Sequence, residues 1–266
     1  MGDTTFMEHP ISEDTLQLLF QASNSSNLEN SLEILIQNAK SDSGRLELAS
    51  RRILPAVLNI VQSLSLTSYH HHHHHHNQTL SLCFKLLRNL CAGEAANQVS
   101  FIELNGVAVV WNVLRSEASF SGPDHGLVRW GLQVLANVSL GGKQHQRAIW
   151  EELYPIGFAS LARVGTKETC DPLCMVIYTC CDGNPEWLKQ LSSDDGWPVM
   201  AEIVRTASSG ELVVCCPVIS DCFVPLILFN LYDPLSIDHS FCLQFFSLIL
   251  MVFLTKQNGV YNLLCS

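Results

Sequence analysis

The chain of 266 residues is 47% apolar and only 15% charged, enough core-forming material for one or two domains with much of the surface covered. With 25 acidic against 15 basic side chains the formal charge is −10, so there is no overall basic field to attract a phosphate backbone, and nucleic acid is excluded as the expected partner. The 11 cysteines are odd in number, include the adjacent pairs Cys180-Cys181 and Cys215-Cys216, form no Cys-x-x-Cys and follow no secretory signal, because Met1 to Pro10 is acidic and lacks an apolar core. They read as reduced, buried thiols of a cytoplasmic protein, and the Asn-x-Ser/Thr matches at Asn24, Asn77 and Asn137 read as unglycosylated.

In chain order, residues 1–66 are expected to hold N-terminal helices and a first degenerate repeat, with Ser12 capping a helix that runs to Ala22. Residues 67–79 contain seven consecutive histidines, His70 to His76, flanked by Ser, Thr, Asn and Gln. That composition predicts a solvated low-complexity loop. Clustered imidazoles could trap a divalent ion weakly, but a polar loop offers no second shell, so no metal site is assigned.

Residues 80–235 carry the clearest pattern. Cys83, Leu86, Leu87, Leu90 and Cys91 recur at spacings of three and four, one stripe of a helix, with Lys85, Arg88 and Asn89 off it and Gly93 at its end. A second helix is expected from about Gln98, with Phe101, Ile102, Val109, Val110 and Leu114 as its apolar positions and a turn at Asn105-Gly106. Leu87-Arg88-Asn89-Leu90 lines up with Ile36-Gln37-Asn38-Ala39, Leu135-Ala136-Asn137-Val138 and Leu228-Phe229-Asn230-Leu231, and more weakly with Ile177-Tyr178-Thr179-Cys180. Positions 38, 89, 137, 179 and 230 are separated by 51, 48, 42 and 51 residues, the interval of stacked armadillo or HEAT units. Agreement extends beyond the motif, because Asn97-Gln98 aligns with His145-Gln146 and Phe101-Ile102 with Ile149-Trp150. Pro123, Pro172 and Pro198 are expected in first helical turns, and Gly141-Gly142 at a helix end. The fold class is therefore all-α, a right-handed α-solenoid of armadillo/HEAT-like helical repeats.

Leu87-x-Asn89-Leu90, Asn97, Gly106-Val107-x-Val109 and Leu114 resemble the armadillo consensus. Leu86 to Gly93, Asn97-Gln98 and Gly131-Leu132-Gln133-Val134-Leu135-Ala136-Asn137 resemble the ataxin-10 family, and the histidine-loop version resembles its plant members, over roughly residues 10 to 235. This resemblance implies a concave groove and a cytoplasmic adaptor or scaffold role linked to signalling, cell survival and cytokinesis. The groove asparagines of armadillo proteins carry over by position to Asn38, Asn89, Asn137 and Asn230, where an amide offers both donors and an acceptor to a partner's extended or helical segment. The same amides could instead tie neighbouring turns. One turn earlier, where receptors for nuclear-import signals place tryptophan, this chain has Lys85 and Gln133, so a basic import signal is disfavoured. With Lys85 and Arg88 alongside, the groove suits an acidic or polar segment. Tyr154-Pro155 in place of Gly, and the lost Asn at Thr179, predict an irregular groove beyond Asn137.

Residues 236–266 depart from the pattern as an apolar, atypical tail in which Phe241 to Leu254 is nearly unbroken. At 14 residues this run falls short of the roughly 20 that span a bilayer, so a buried terminal helix is expected over the competing tail anchor. The resemblance implies a further C-terminal region, and an uncapped array would favour self-association. No hydrolase, metalloprotease, P-loop, dinucleotide or kinase signature is present, no cofactor is implied, and an enzyme of unrecognised type is the remaining competitor. Cys180-Cys181-Asp182 reads as structural, since no neighbouring cation would activate a thiol.

Overall fold

The computed structural model describes residues 26–67, 73–191 and 193–207. Among these there are twelve α-helices and no strand. The chain divides into two compact units, Met1–Glu152 and Leu153–Ser266. The first contains α1 (Ser26–Asn38), α2 (Asp42–Ser50), α3 (Ile53–Thr67), α4 (His73–Leu90), α5 (Ala95–Glu103), α6 (Gly106–Ala118), α7 (His125–Ser139) and most of α8 (Lys143–Leu153). The second contains α9 (Ile156–Arg163), α10 (Lys167–Cys181), α11 (Pro185–Leu191) and α12 (Trp197–Ala207).

A three-helix grammar repeats along the chain: a short first helix (α2, α5, α8, α11), a second (α3, α6, α9, α12) and a third (α1, α4, α7, α10). In the first unit the third helices form one layer, α1 against α4 and α4 against α7. The second helices α3 and α6 form the other, and each layer packs on its partner through α3 with α4 and α6 with α7. The stripe read from spacing becomes the seam of this packing. Cys83, Leu86, Leu87, Leu90 and Cys91 are all fully buried, joined by Phe84, and each large apolar side chain so covered contributes roughly 1.5–3 kcal/mol. Helices α4, α6 and α7 approach so closely at Gly131 that an added Cβ would lie 2.7 Å from Leu114 Cδ2 and 3.0 Å from Phe84 Cε2.

Local chemistry sets the boundaries. The Asp124 side chain caps α7 by accepting from the Leu127 N–H at 3.0 Å. Asn105, at φ 57°, takes the left-handed conformation that an asparagine tolerates, and so separates α5 from α6 at the expected turn. Gly93, at φ 69°, turns the chain out of α4. In the second unit α9 packs on α12, and α10 lies against α9, α11 and α12. Thr206 Oγ1 donates to the Ala162 carbonyl at 3.3 Å, and Tyr154 Oη to the Gln190 carbonyl at 2.7 Å.

Four expectations change. The loop expected over 67–79 is helical from His73, the start of α4. Neutral imidazole, amide and hydroxyl side chains do not break a helix, no Gly or Pro interrupts the run before Gly93, and the Glu29 carboxylate of α1 accepts from Gln78 Nε2 at 3.1 Å and Thr79 Oγ1 at 3.0 Å. Pro123 precedes the Asp124 cap rather than entering the first turn of α7. Pro172 lies inside α10, beyond its first turn, because a Thr166–Thr169 capping box starts the helix earlier, with the Thr166 N–H donating to Thr169 Oγ1 at 3.0 Å; Pro198 does occupy a first turn, that of α12. Finally, α5 begins at Ala95 instead of Gln98, and Ile102 and Val109 are half-buried while Val107 and Val113 fill the core. The Ser12 helix and residues 236–266 lie outside the described residues.

Candidate functional site

The third helices of the first unit bring most of the candidate residues into one row. Asn38 ends α1, Lys85, Arg88 and Asn89 lie on α4, and Gln133 and Asn137 lie on α7. Asn230 lies outside the described residues.

The asparagine amides do a job that their sequence pattern left open. Asn89 is buried rather than off the apolar stripe, because it faces α1: its Nδ2 donates to the Ile36 carbonyl at 3.3 Å. One repeat later Asn137 Nδ2 donates to the Arg88 carbonyl at 2.8 Å. Each amide thus stitches its helix to the preceding third helix, and a buried amide left without such a partner would be costly. The Asn38 amide turns back on its own helix, donating to the Ile34 carbonyl at 3.0 Å. First helices join the ladder through Gln98, whose Nε2 donates to the carbonyls of Cys91 at 2.9 Å and Asn137 at 3.0 Å. Asn97 Nδ2 donates to the Leu90 carbonyl at 2.9 Å. In the next repeat Gln146 keeps the pattern by donating to the Ser139 carbonyl at 3.2 Å. His145, aligned with Asn97, is buried with both ring nitrogens unpartnered among the described residues. Thr179, where Asn is lost, bonds within α10 to the Met175 carbonyl at 2.8 Å.

Beside the ladder three cations surround a single tryptophan. Lys85 Nζ lies 5.1 Å, Arg88 Cζ 4.9 Å and Arg129 Cζ 5.2 Å from the centre of the Trp130 ring. Such contacts contribute roughly 0.5–1 kcal/mol each at exposed sites. The Arg88 guanidinium is further held by neutral oxygens, donating to Asn89 Oδ1 at 2.7 Å and 3.1 Å and to Gln133 Oε1 at 3.1 Å. Burial, then the neighbouring Arg129 charge, lowers the Arg88 pKa from its ordinary value. Among the described residues none of these three cations pairs with a carboxylate, whereas Arg45, Arg51, Arg163 and Arg205 all do.

Arg129 and Trp130 were missed by sequence reasoning. The signal was an Arg-Trp pair two turns before Asn137, but spacing along one helix does not reveal that the pair meets Lys85 and Arg88 across the seam to α4.

Little points to reaction chemistry. Burial pushes the thiols of Cys83, Cys91 and Cys180 up to about 12, which leaves Cys180 without a nucleophilic thiolate near neutral pH. Among the described residues no group of three or more His, Cys, Asp or Glu is placed to hold a metal ion, and no helix is long and apolar enough to cross a membrane.

No family model matches the chain. It is 32% identical over 104 residues to Ataxin-10 of Xenopus tropicalis, a stretch covering 37% of this chain and 21% of that protein, so the chain spans about a fifth of the length of this curated relative. A designed armadillo repeat protein is similar at 14% identity and a TM-score of 0.52, covering 82% of this chain and 93% of the design. A second design, in complex with the peptide (KR)4, is similar at 13% identity and a TM-score of 0.52, covering 91% and 100%. An engineered protein from a structural genomics consortium is similar at 15% identity and a TM-score of 0.55, covering 91% and 98%. The fold is an armadillo-like α-solenoid. At these identities the structural likenesses speak for the fold alone.

Proposed function

We propose that this chain is a non-catalytic protein-binding adaptor of the ataxin-10 type, which holds a segment of another protein against the third-helix face of its first unit. The observation that carries this is the cluster of Lys85, Arg88 and Arg129 around Trp130, an aromatic anchor with charges that the described residues leave uncompensated. Aromatic and arginine side chains dominate the energetics of protein interfaces, so such a cluster is a natural hot spot. The armadillo-like fold and the 32% identity to Ataxin-10 support the reading. A cytoplasmic setting, and work in signalling, survival or cytokinesis, belong to the same proposal.

In this reading the groove residues divide their labour. Lys85, Arg88 and Trp130 meet the partner, while Asn89 and Asn137 keep the helices in register. The unused Asn137 oxygen is the amide atom left for a partner's backbone, since Asn137 donates through Nδ2 and its Oδ1 accepts from none of the described residues. Asn38 and Gln133 flank the contact.

Because Asn89→Ala would loosen the stack itself, the clean test is affinity purification from native cells with Trp130→Ala and Lys85→Glu, compared with Arg115→Glu on the second helix α6. The proposal expects partners to be lost with the first two variants and kept with the third. Partners retained by Trp130→Ala and Lys85→Glu would overturn it.

A further inference from the structure

We propose that the occupant of this face is an acidic segment of a partner protein, whose Asp and Glu carboxylates seat among Lys85, Arg88 and Arg129 over Trp130. The inference rests on the adaptor reading and deepens it by naming the partner's chemistry.

Three observations converge. First, the chain as a whole carries −10, yet three cations gather around one ring, and none meets a carboxylate among the described residues. Gathering like charges costs stability unless something compensates them, and the Arg88 pKa is lowered first by burial and then by the neighbouring Arg129 charge. Second, the three charges gathered here are opposite in sign to the formal net charge of the chain, which draws an acidic segment to this face. Complementary fields of this kind set specificity and on-rate. Third, Arg88 is held in place, its Nε, Nη1 and Nη2 donating to Asn89 and Gln133, so its charge is fixed on this face before any partner arrives.

The row offers an apolar footing as well. Ile34, four residues before Asn38 as Lys85 is four before Asn89, is 44% exposed on α1. An acidic segment with a neighbouring aliphatic residue therefore fits this unit, and a basic segment like the (KR)4 peptide of the designed protein does not.

The test is fluorescence anisotropy on the full chain with labelled peptides alternating Glu and Ala, together with their Gln, Lys and phosphoserine counterparts. The Glu peptide is expected to bind best and to weaken as salt rises. The double variant Lys85→Gln with Arg129→Gln, which leaves the Arg88 bonds in place, should weaken it by roughly three- to tenfold. Circular dichroism melts should show that variant to remain cooperatively folded, because the two lost cation–aromatic contacts are weak and the repulsion between the cations is relieved; this separates lost binding from lost folding. Equal binding of Glu and Gln peptides, tighter binding of the phosphoserine peptide, or an unchanged affinity in the double variant would each overturn the inference. A photo-crosslinking residue at Ile34 distinguishes it from the adaptor reading. A partner captured there through a segment lacking carboxylates overturns the acidic assignment alone. Failure to capture any partner, with selective Glu-peptide binding intact, overturns the adaptor reading alone.

Discussion

The two units use the same three-helix grammar but are held by different chemistry. In the first, Asn89 and Asn137 donate to the third helix one repeat earlier, and Gln98 ties a first helix to two others. In the second, Thr179 turns back on its own helix, while Thr206 to the Ala162 carbonyl and Glu202 to Arg163 at 3.2 Å tie one second helix to the other, and Glu202 also pairs with Arg205 of its own helix at 2.7 Å. At the third-helix position of the first unit an amide reaches the neighbouring helix, whereas the Thr179 hydroxyl bonds within α10. Where the stitching exists, the same face also collects Trp130 and its cations.

Breaking the seam should give the largest effect. Phe84→Ala empties a fully buried site between α4 and α7 and should cost about 3–5 kcal/mol in chemical denaturation. A loss below about 1 kcal/mol would mean the helices do not share this core. The ladder comes next. Asn89→Ala strands the Ile36 carbonyl and frees Arg88, for an expected loss of about 1–3 kcal/mol, while Thr179→Val in the second unit should cost less than about 1 kcal/mol. Equal losses in the two variants would erase the contrast between the units.

A graft can sharpen the same comparison. His145 sits where Asn97 donates to Leu90 in the preceding repeat, so His145→Asn should acquire the matching bond to the Val138 carbonyl. Thermal denaturation should then show a gain of about 1 kcal/mol. A loss would show that ring packing against Gly141 outweighs the missing bond.

The smallest effect should come from the second unit's charges. Desolvation would raise the Glu202 pKa, but hydrogen bonds and charges from Arg205 and Arg163 outweigh it and hold the carboxylate below its ordinary value of 4.5. A depressed carboxylate contributes stability that is complete above the unfolded value and is lost as pH falls through the folded one. The Glu202→Gln cost should thus be about 0.5 kcal/mol at neutral pH and should vanish as acidification passes below the ordinary carboxylate range and protonates Glu202. A cost that persists unchanged at low pH would assign it to packing.

Much of the fold was legible in the chain. The Cys83 to Cys91 stripe, the Asn105-Gly106 turn and the 48-residue step from Asn89 to Asn137 are local patterns, and local patterns survive into structure when packing agrees with them. The seven histidines misled because composition suggested a loop, whereas helix continuation there depends on whether anything stops it, and Glu29 of α1 supplies further partners. Periodicity marks Asn89 as polar and off the stripe. It cannot say that a neighbouring helix arrives on that side.

Sequence by itself therefore determined the repeat, its period and the identity of the residues lining the third helices. Tertiary structure decided their roles. Two positions 49 residues apart, Arg88 and Asn137, become partners only when the helices stack, and with them Trp130 comes under Lys85 and Arg88. Spacing along a helix encodes which side chains share a face, but hydrogen bonds and cation–aromatic contacts between helices depend on interaxial distance and register, which only the packed core sets.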